Sequence, residues 1–222
     1  MSRSTGVTLV DLDGVLLPGD TMASVVLTRL KSVPWRAPVA LVLVCAALVA
    51  PAASRVRPWV NRAIVHLVLR GMTVSAYSEL ASQTGERLAV QARTELIAEL
   101  AATDARVVVV TASERTVAEA FLRSAGLGHA EILASQLHCD DRRWRFRWHN
   151  YAADKVVAAN AADVELARAI FYTDSSSDLS MIREVESTWL VGASRRSRRA
   201  IRRGAPQAVL REWPGPDGTT SA

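Results

Sequence analysis

Five short runs of apolar, often β-branched residues recur along the chain, and each run ends at a small or polar residue. Residues 7–10 stop at Asp11, and residues 107–110 stop at Thr111. The three later runs are 132–133 before Ala134-Ser135-Gln136, 169–172 before Thr173-Asp174, and 188–191 before Gly192. Runs of this length and composition are typical of strands buried on both faces of a parallel sheet.

Helical patterns separate these runs. Residues 114–124 form one helical stretch, with Ser113 as its predicted N-cap, and residues 154–162 form another. Strands that alternate with helices predict an α/β fold with a doubly wound, Rossmann-like parallel sheet. In such sheets ligands bind at the carboxyl ends of the strands. We therefore expect a site at that edge, formed by Asp11, Thr111 and Asp174.

The alternation is interrupted between the first two strands, because residues 20–88 are helical in pattern and contain no strand-like run. We interpret this interval as an inserted helical cap, which leaves residues 1–19 and 89–222 for the core. After the third strand, residues 143–148 alternate basic and aromatic side chains with a period of two, which predicts one arm of a β-hairpin. An arginine-rich helix is predicted over residues 195–203.

Composition narrows the setting and the partners. A chain of 222 residues suits one α/β domain with an insert and needs no disulfides. Cys45 and Cys139 form neither a disulfide framework nor a metal-ligand spacing, so we expect a reducing, cytoplasmic setting. Residues 1–6 are polar and lead directly into a strand, which argues against a signal peptide. The net charge of +5 rests on arginine, since Lys31 and Lys155 are the only lysines, and it favours polyanionic partners.

Two aspartates stand two positions apart at the end of the first strand, in Asp11-Leu12-Asp13, and Gly14 follows them. Phosphoryl transfer can use this spacing. One carboxylate can attack phosphorus, while the other protonates the leaving oxygen and then deprotonates the hydrolytic water. A turn or a helix N-cap with solvated aspartates would show the same residues. The catalytic interpretation of this pair therefore depends on motifs elsewhere in the chain.

The rest of the chain resembles the haloacid-dehalogenase superfamily, whose four motifs occur here in order. Asp11 and Asp13 match the first motif, and the run ending at Thr111 is similar to the second. Asn150-Tyr151-Ala152-Ala153-Asp154-Lys155 resembles the third motif, and Thr173-Asp174-Ser175-Ser176-Ser177-Asp178 the fourth. The resemblance implies that the catalytic residues are Asp11, the nucleophile, Asp13, the general acid and base, Thr111 and Lys155. It also implies that the substrate phosphate contacts Gly14, Thr111, Ala112 and Lys155.

The same resemblance implies a Mg²⁺ ion. A phosphate ester and a carboxylate nucleophile repel each other until cations offset their charge, and Mg²⁺ suits an all-oxygen site that keeps several waters. The implied ligands are the carboxylates of Asp11 and Asp174 and the backbone carbonyl of Asp13, with Asp178 as a direct ligand or a supporter. Lys155 is expected to neutralise the nucleophile and the transferring phosphoryl group.

Details of the motifs refine the predicted reaction. Asp13 favours a phosphatase, since dehalogenases of this superfamily need no acid at that position. Two positions depart from the usual pattern: Val15 stands where threonine is commoner, and Ala152 stands where relatives often have glycine. Neither departure removes a functional group.

The insert resembles the helical caps of the phosphoserine-phosphatase-like subgroup. Within it, residues 39–50 are twelve consecutive apolar residues, and Trp35 and Trp59 bracket them. The basic residues that flank the run are Lys31, Arg36, Arg55 and Arg57. A membrane span needs about 20 apolar residues. We therefore expect segment 39–53 either to pack inside the cap or to dip into an anionic leaflet.

Together with Ala134-Ser135-Gln136 after the third strand, the apolar cap resembles the membrane-associated phosphatidylglycerophosphatase branch. That resemblance implies a lipid phosphomonoester, such as phosphatidylglycerophosphate, at an anionic membrane surface on the inner face of the cell membrane. Two alternatives stay open: a soluble cytoplasmic phosphatase of a small metabolite such as phosphoserine, and a nucleic-acid or anionic-surface binding module that uses the arginines. The apolar cap counts against the first alternative and the complete motifs against the second. The oligomeric state is left open.

Overall fold

The computed structural model describes residues 6–49 and 56–214. The strands are β1 (Val7–Val10), β2 (Arg106–Glu114), β3 (Glu131–Asp140), β4 (Arg143–Trp148), β5 (Ala169–Thr173), β6 (Ser187–Leu190) and β7 (Leu210–Glu212). The helices are α1 (Thr21–Ser32), α2 (Ala37–Val49), α3 (Val56–Leu69), α4 (Val74–Ala89), α5 (Thr94–Ala101), α6 (Arg115–Ser124), α7 (Ala153–Ala161), α8 (Leu179–Ile182) and α9 (Arg195–Gly204). Short 3₁₀ helices span Pro34–Arg36, Leu166–Arg168 and Ser176–Asp178.

Within those described residues, the strands form one seven-stranded sheet in the order β4-β3-β2-β1-β5-β6-β7. Only β4 runs antiparallel to its neighbour, β3. Asp141 and Arg142 at the tip of this hairpin have φ angles of 43° and 56°, as tight two-residue hairpin turns require. The hairpin predicted from the alternation of residues 143–148 is confirmed.

Neighbouring residues of the central strands enter separate cores on the two faces of the sheet. Val10 and Val109 pack in the core covered by α5 and α6, whereas Leu9 and Val108 pack in the core covered by α7, α8 and α9. Both faces are therefore buried, which explains why the strands lack polar alternation. The predicted doubly wound α/β fold is confirmed.

Helices α1 to α4 occupy the interval predicted to be a helical cap. Helices α1, α3 and α4 share a core that reaches Val117 of α6 and Trp144 of β4. Helix α4 packs closely on α6, since a Cβ at Gly85 would lie 2.7 Å from the Cβ of Ala120. The insert is thus held to the rest of the chain along the length of a helix. The exact boundary at residues 20–88 stays a prediction.

Helix α2 contains most of the apolar run, and residues 50–53 of the predicted segment lie outside the described residues. Ala40 is buried, whereas Val39, Leu41 and Val42 each keep more than half of their surface exposed. The described part of the run therefore does not form a buried cap helix. No helix within residues 6–49 and 56–214 is long and apolar enough to span a membrane.

Arg36, one of the basic residues that flank the apolar run, links the start of α2 to the end of α3. Its Nη1 donates at 2.7–3.1 Å to the backbone carbonyls of Leu67, Val68 and Arg70. These carbonyls lie at the end of α3, where helix carbonyls lack intrahelical donors. Arg36 therefore has a structural role within the cap. Arg55 and the side chain of Arg57, two other basic residues that flank the run, lie outside what the structure describes.

Candidate active site

A cavity of about 1010 Å³ lies at the carboxyl ends of the strands, beneath α1, α2 and α3. Asp11 follows β1, Thr111 lies in β2, and Asp174 follows β5. Because these parallel strands are adjacent in the sheet, their ends bring distant sequence positions together. The predicted site residues that line the cavity are Asp11, Asp13, Thr111, Ala112, Lys155 and Asp174.

Lys155 is buried between two carboxylates. Its Nζ lies 2.8 Å from Asp11 Oδ2 and 2.9 Å from Asp178 Oδ1. The other oxygen of Asp178, Oδ2, accepts a hydrogen bond from Thr173 Oγ1 at 2.7 Å. Asp178 is fully buried, and both of its oxygens are engaged by protein groups. Helix α7 supplies the lysine and the turn after β5 supplies the carboxylate that orients it.

This cluster carries more negative than positive charge. Burial opposes a charge on Lys155, but the carboxylates of Asp11 and Asp178 more than offset it and raise the lysine's pKa. Burial raises the pKa of Asp11, and the Lys155 ammonium acts in the opposite direction. Burial also raises the pKa of Asp174, and the charge of Asp178 adds to that rise. One ammonium among these carboxylates leaves a negative charge that a bound cation would offset.

Asp13 is held by α1 and by the end of β2. Its Oδ1 accepts from the backbone N–H of Thr21 at 2.8 Å, and its Oδ2 accepts from Ser113 Oγ at 2.5 Å. The hydroxyls of Thr21 and Ser113 also hydrogen-bond each other. Burial and the charge of Asp20 raise the pKa of Asp13 to about 7, although the hydrogen bonds act to lower it. A carboxyl with that pKa can give up a proton and take one back near neutral pH.

Ser113 is not the N-cap of α6, contrary to the prediction. Glu114 has that role, and its carboxylate accepts from Thr116 N at 2.9 Å. Glu114 also accepts from the hydroxyl of Tyr77 on α4 at 2.6 Å, a buried contact between the insert and β2. The helix begins one residue later than the pattern indicated, which frees the Ser113 hydroxyl to hold Asp13.

Gly14 and Asp174 are in direct contact. Gly14 has a φ of +81°, and a Cβ added to it would lie 2.4 Å from Asp174 Cγ. Gly14 does not line the cavity; it contacts the Asp174 carboxylate instead. Arg93 holds the same turn, donating Nε to the Val15 carbonyl at 2.9 Å and Nη2 to the Gly14 carbonyl at 3.3 Å.

Buried hydrogen bonds fix the loop that carries the third motif. Ser135 Oγ donates to the Ala112 carbonyl at 2.6 Å and accepts from the Asn150 backbone N–H at 2.9 Å. The Asn150 side chain donates to the carbonyls of Thr111 and Leu133, at 3.2 and 2.6 Å. The Ala134-Ser135-Gln136 run therefore ties β2, β3 and the third motif together.

A comparison with known protein families matches residues 8–183 to the haloacid dehalogenase-like hydrolases. The chain belongs to this family. A search among functionally curated proteins found no match to this hydrolase.

Solved structures share the fold of this haloacid dehalogenase-like hydrolase at low sequence identity. A protein of unknown function from Bordetella pertussis Tohama I is 18% identical, with a TM-score of 0.65, and the match covers 93% of this chain and 99% of that one. A probable phosphoserine phosphatase from Vibrio cholerae is 15% identical, with a TM-score of 0.62 and coverage of 92% and 60%. A substrate-bound phosphoserine phosphatase is 14% identical, with a TM-score of 0.58 and coverage of 94% and 93%. Family membership confirms the predicted hydrolase, and the solved structures show that the fold is shared.

Most of the side chains that the insert contributes to the cavity of this hydrolase are apolar. Away from the carboxylates, apolar side chains of the insert line it, among them Met22, Val26, Leu30, Leu41, Val44 and Ile64. Leu41 and Val44 belong to α2 and remain 62% and 41% exposed while lining the cavity, so the cavity opens along that helix. The buried carboxylates and the exposed apolar helix α2 are thus at two ends of one cavity.

Sequence reasoning missed three residues of this hydrolase that hold the site together: Thr21, Arg93 and Ser113. Ser113 follows the second motif at a distance of two residues, a signal that the N-cap interpretation obscured. Thr21 and Arg93 carry no local signal, because their contacts with the first-motif turn depend on how the insert and α5 are packed.

Proposed function

We propose that this chain is a Mg²⁺-dependent phosphomonoester hydrolase that acts through an aspartyl-phosphate intermediate on a lipid phosphate, such as phosphatidylglycerophosphate, at the inner face of the cell membrane. The observation that carries the proposal is the single cavity that joins the carboxylates to the exposed apolar helix α2. A lipid phosphate carries both a charged phosphate group and a hydrocarbon chain. Such a substrate requires a polar and an apolar region within one cavity.

The proposed chemistry uses two carboxylates. Asp11 attacks phosphorus, the bond from phosphorus to the alcohol oxygen breaks, and Asp13 gives that oxygen its proton. Asp13 then accepts a proton from a water that attacks the aspartyl phosphate, which releases inorganic phosphate and regenerates Asp11. Lys155, held by Asp178, offsets the charge of the nucleophile at 2.8 Å. The pKa of Asp13, about 7, suits both of its proton transfers.

The residues present fit a Mg²⁺ ion. The available donors are oxygens, from the carboxylates of Asp11 and Asp174 and the carbonyl of Asp13, and the missing Cβ of Gly14 gives Asp174 room to approach them. We assign Asp178 to the support of Lys155. Among the residues that the structure describes, no group of three or more His, Cys, Asp or Glu side chains could hold a metal. Two carboxylates, a carbonyl and waters are the set we infer for Mg²⁺, which would offset negative charge on the phosphate and the carboxylates.

An anionic membrane surface is the proposed partner. Trp35, Val39, Val42 and Trp59 on α2, α3 and the turn before α2 are each more than half exposed. A cluster of exposed aliphatic and tryptophan side chains next to a cavity opening is typical of a surface that enters the interfacial region of a bilayer. Such contact would bring the cavity to a lipid whose phosphate projects from the leaflet.

The second candidate is a phosphatase of a small soluble metabolite. Phosphoserine phosphatases are among the structures with the same fold, which favours this alternative. A substrate of that kind needs charged groups in the cap for its amine and carboxylate, whereas the side chains of α1 to α3 that line the cavity are mainly apolar. The complete first to fourth motifs count against a nucleic-acid binding module.

Side-by-side assays test the proposal. We expect phosphatidylglycerophosphate and phosphatidic acid in detergent micelles to give a kcat/KM roughly 100-fold above that of phosphoserine, as burial of a few methylene groups would provide. The Asp11→Asn variant is the control for contaminating phosphatases. A preference for phosphoserine would support the metabolite enzyme, and no turnover of any phosphomonoester would contradict a phosphatase altogether.

A further inference from the structure

A second groove adjoins the catalytic cavity. It has a volume of about 560 Å³ and lies between α3 and β4. Val65, Phe146 and His149 line both spaces, so they form the wall that the groove and the cavity share. The groove also contains Arg62 from α3. His149 therefore stands where a substrate in the cavity would meet the positive charge of the groove.

The ring of His149 is held in a defined orientation. The Phe146 ring centroid lies 4.7 Å from it, and the Tyr151 ring stacks on it at 5.6 Å with an interplanar angle of 14°. His149 Nδ1 accepts a hydrogen bond from Arg62 Nε at 3.3 Å. A guanidinium only donates hydrogen bonds, so Nδ1 is the unprotonated nitrogen and the imidazole proton is on Nε2.

The imidazole is neutral, and its Nε2–H is available. Burial lowers the pKa of His149 to about 4, the charge of Arg62 adds to that effect, and Asp154 acts against it. Within residues 6–49 and 56–214, Nε2 donates to no protein acceptor, and no carboxylate forms an ion pair with Arg62. One oriented donor thus stands on the wall that the cavity and the groove share, and a positive charge lies beside it in the groove.

We propose that Arg62 and His149 form a subsite for a second, non-reacting anionic group of the substrate, of the phosphodiester class. The Nε2–H of His149 donates to an oxygen of that group, while Arg62, at the Nδ1 side of the ring, fixes the tautomer and adds a positive charge nearby. The inference rests on the proposed phosphatase function and deepens it, because it separates phosphomonoesters that carry a phosphodiester from those that do not. Arg62 comes from the insert and His149 from the loop after β4, so the subsite exists only where the two meet.

A pair of substitutions at position 149 tests the donor. The amide nitrogen of glutamine can reach the position of Nε2, whereas that of asparagine reaches only the position of Nδ1. The measured quantity is the ratio of kcat/KM between phosphatidylglycerophosphate and phosphatidic acid, and between their deacylated counterparts, glycerophosphoglycerophosphate and glycerol 3-phosphate. We expect His149→Asn to lower both ratios about tenfold, the value of one good hydrogen bond, and His149→Gln to preserve most of them. His129→Asn, at an exposed histidine outside the cavity and the groove, should leave both ratios unchanged.

Nitrogen-15 NMR of the imidazoles is the second measurement. The wild-type protein should show His149 as the neutral Nε2–H tautomer, and Arg62→Ala should release it to a mixture of tautomers. An Nδ1–H tautomer in the wild type would overturn the inference. So would unchanged ratios in His149→Asn, or a wild-type enzyme that prefers neither phosphodiester compound. Preference for the deacylated phosphodiester without turnover of either lipid would retain the subsite and reject the lipid function, which keeps the two failures apart.

Discussion

Asp174 packs against the Cα of Gly14 so closely that a Cβ at position 14 would lie 2.4 Å from the Asp174 carboxyl carbon. Gly14 follows β1 and Asp174 follows β5. These two strands pair in parallel, with Val10 opposite Tyr172. Strand pairing therefore brings the first and fourth motifs together, and the glycine lets the carboxylate reach the turn that carries Asp11 and Asp13.

Gly14→Ala should therefore reduce kcat by at least about 100-fold, because the methyl group forces the Asp174 carboxylate away from the turn that carries Asp11 and Asp13. Gly126→Ala is the matched control, since Gly126 has a similar φ of +91° and nothing within 4 Å of its Cβ position. Both variants should lose about 1–2 kcal/mol of unfolding free energy in urea melts, the usual cost of alanine in a left-handed conformation. Equal activity of the two would show that the Gly14 contact is unimportant.

The alkaline limb of the pH profile should report Asp13. Asp13 must be protonated to donate to the leaving oxygen, so kcat/KM should fall above about pH 7, the pKa to which burial raises this carboxyl. Ser113→Ala removes a hydrogen bond that lowers this pKa, so the limb should move to higher pH by up to about one unit. Thr84→Val, at a buried hydroxyl that is not bonded to Asp13, should leave the profile in place. A limb that moves to lower pH in Ser113→Ala would contradict the assignment.

Metal dependence should follow Asp174. Activity should disappear in a chelator and return with added Mg²⁺, and Asp174→Asn should raise the half-activating Mg²⁺ concentration at least about tenfold, the effect of a weakened ligand set. Asp104→Asn, at an exposed carboxylate, is the control and should titrate like the wild type. Hydrolysis that survives exhaustive chelation would rule out the proposed ion.

Substitutions of Asp11 and Asp13, the two carboxylates of the first motif, should impair different steps of the reaction. Asp11→Asn removes the nucleophile, so no acid-stable phosphoenzyme should form and turnover should be abolished. Asp13→Asn leaves the nucleophile but removes the proton transfers, which should cost on the order of 100-fold or more. Rapid quenching with phosphorus-32 substrate followed by gel analysis distinguishes these outcomes. Labelling of Asp11→Asn at the wild-type level would refute the assigned nucleophile.

Membrane contact should depend on the outer face of α2. Val42 is 68% exposed, so Val42→Glu should leave the melting temperature and the turnover of para-nitrophenyl phosphate nearly unchanged. It should lower binding to vesicles of anionic phospholipid in flotation assays and reduce activity on lipid substrate in those vesicles. Val157→Glu, at a 54% exposed valine on α7, is the matched control. Two variants that bind vesicles equally well would leave α2 without a role at the membrane.

Much of the site could be predicted from the sequence, because the carboxyl ends of parallel strands always lie at the same edge of the sheet. Asp11, Thr111 and Asp174 each follow an apolar run, so their meeting at one edge required only the correct fold. Ala152 illustrates the limit, since its φ of +54° gives a physical reason why relatives often have glycine there, yet alanine carries no such mark in the sequence.

The sequence by itself determined that the sheet is doubly wound, that helices fill the interval between its first two strands, and the order of the four motifs, because periodicity and motif spacing are local properties of the chain. It did not predict β7 (Leu210–Glu212) or the strand order. Tertiary structure alone decided that Ser113 holds Asp13 instead of capping α6, that Arg36 caps α3, and that Arg62 orients His149. These contacts join residues that are distant in sequence, and they depend on where each side chain points and how deeply it is buried. Both properties follow from how the helices pack, which a local sequence pattern does not reveal.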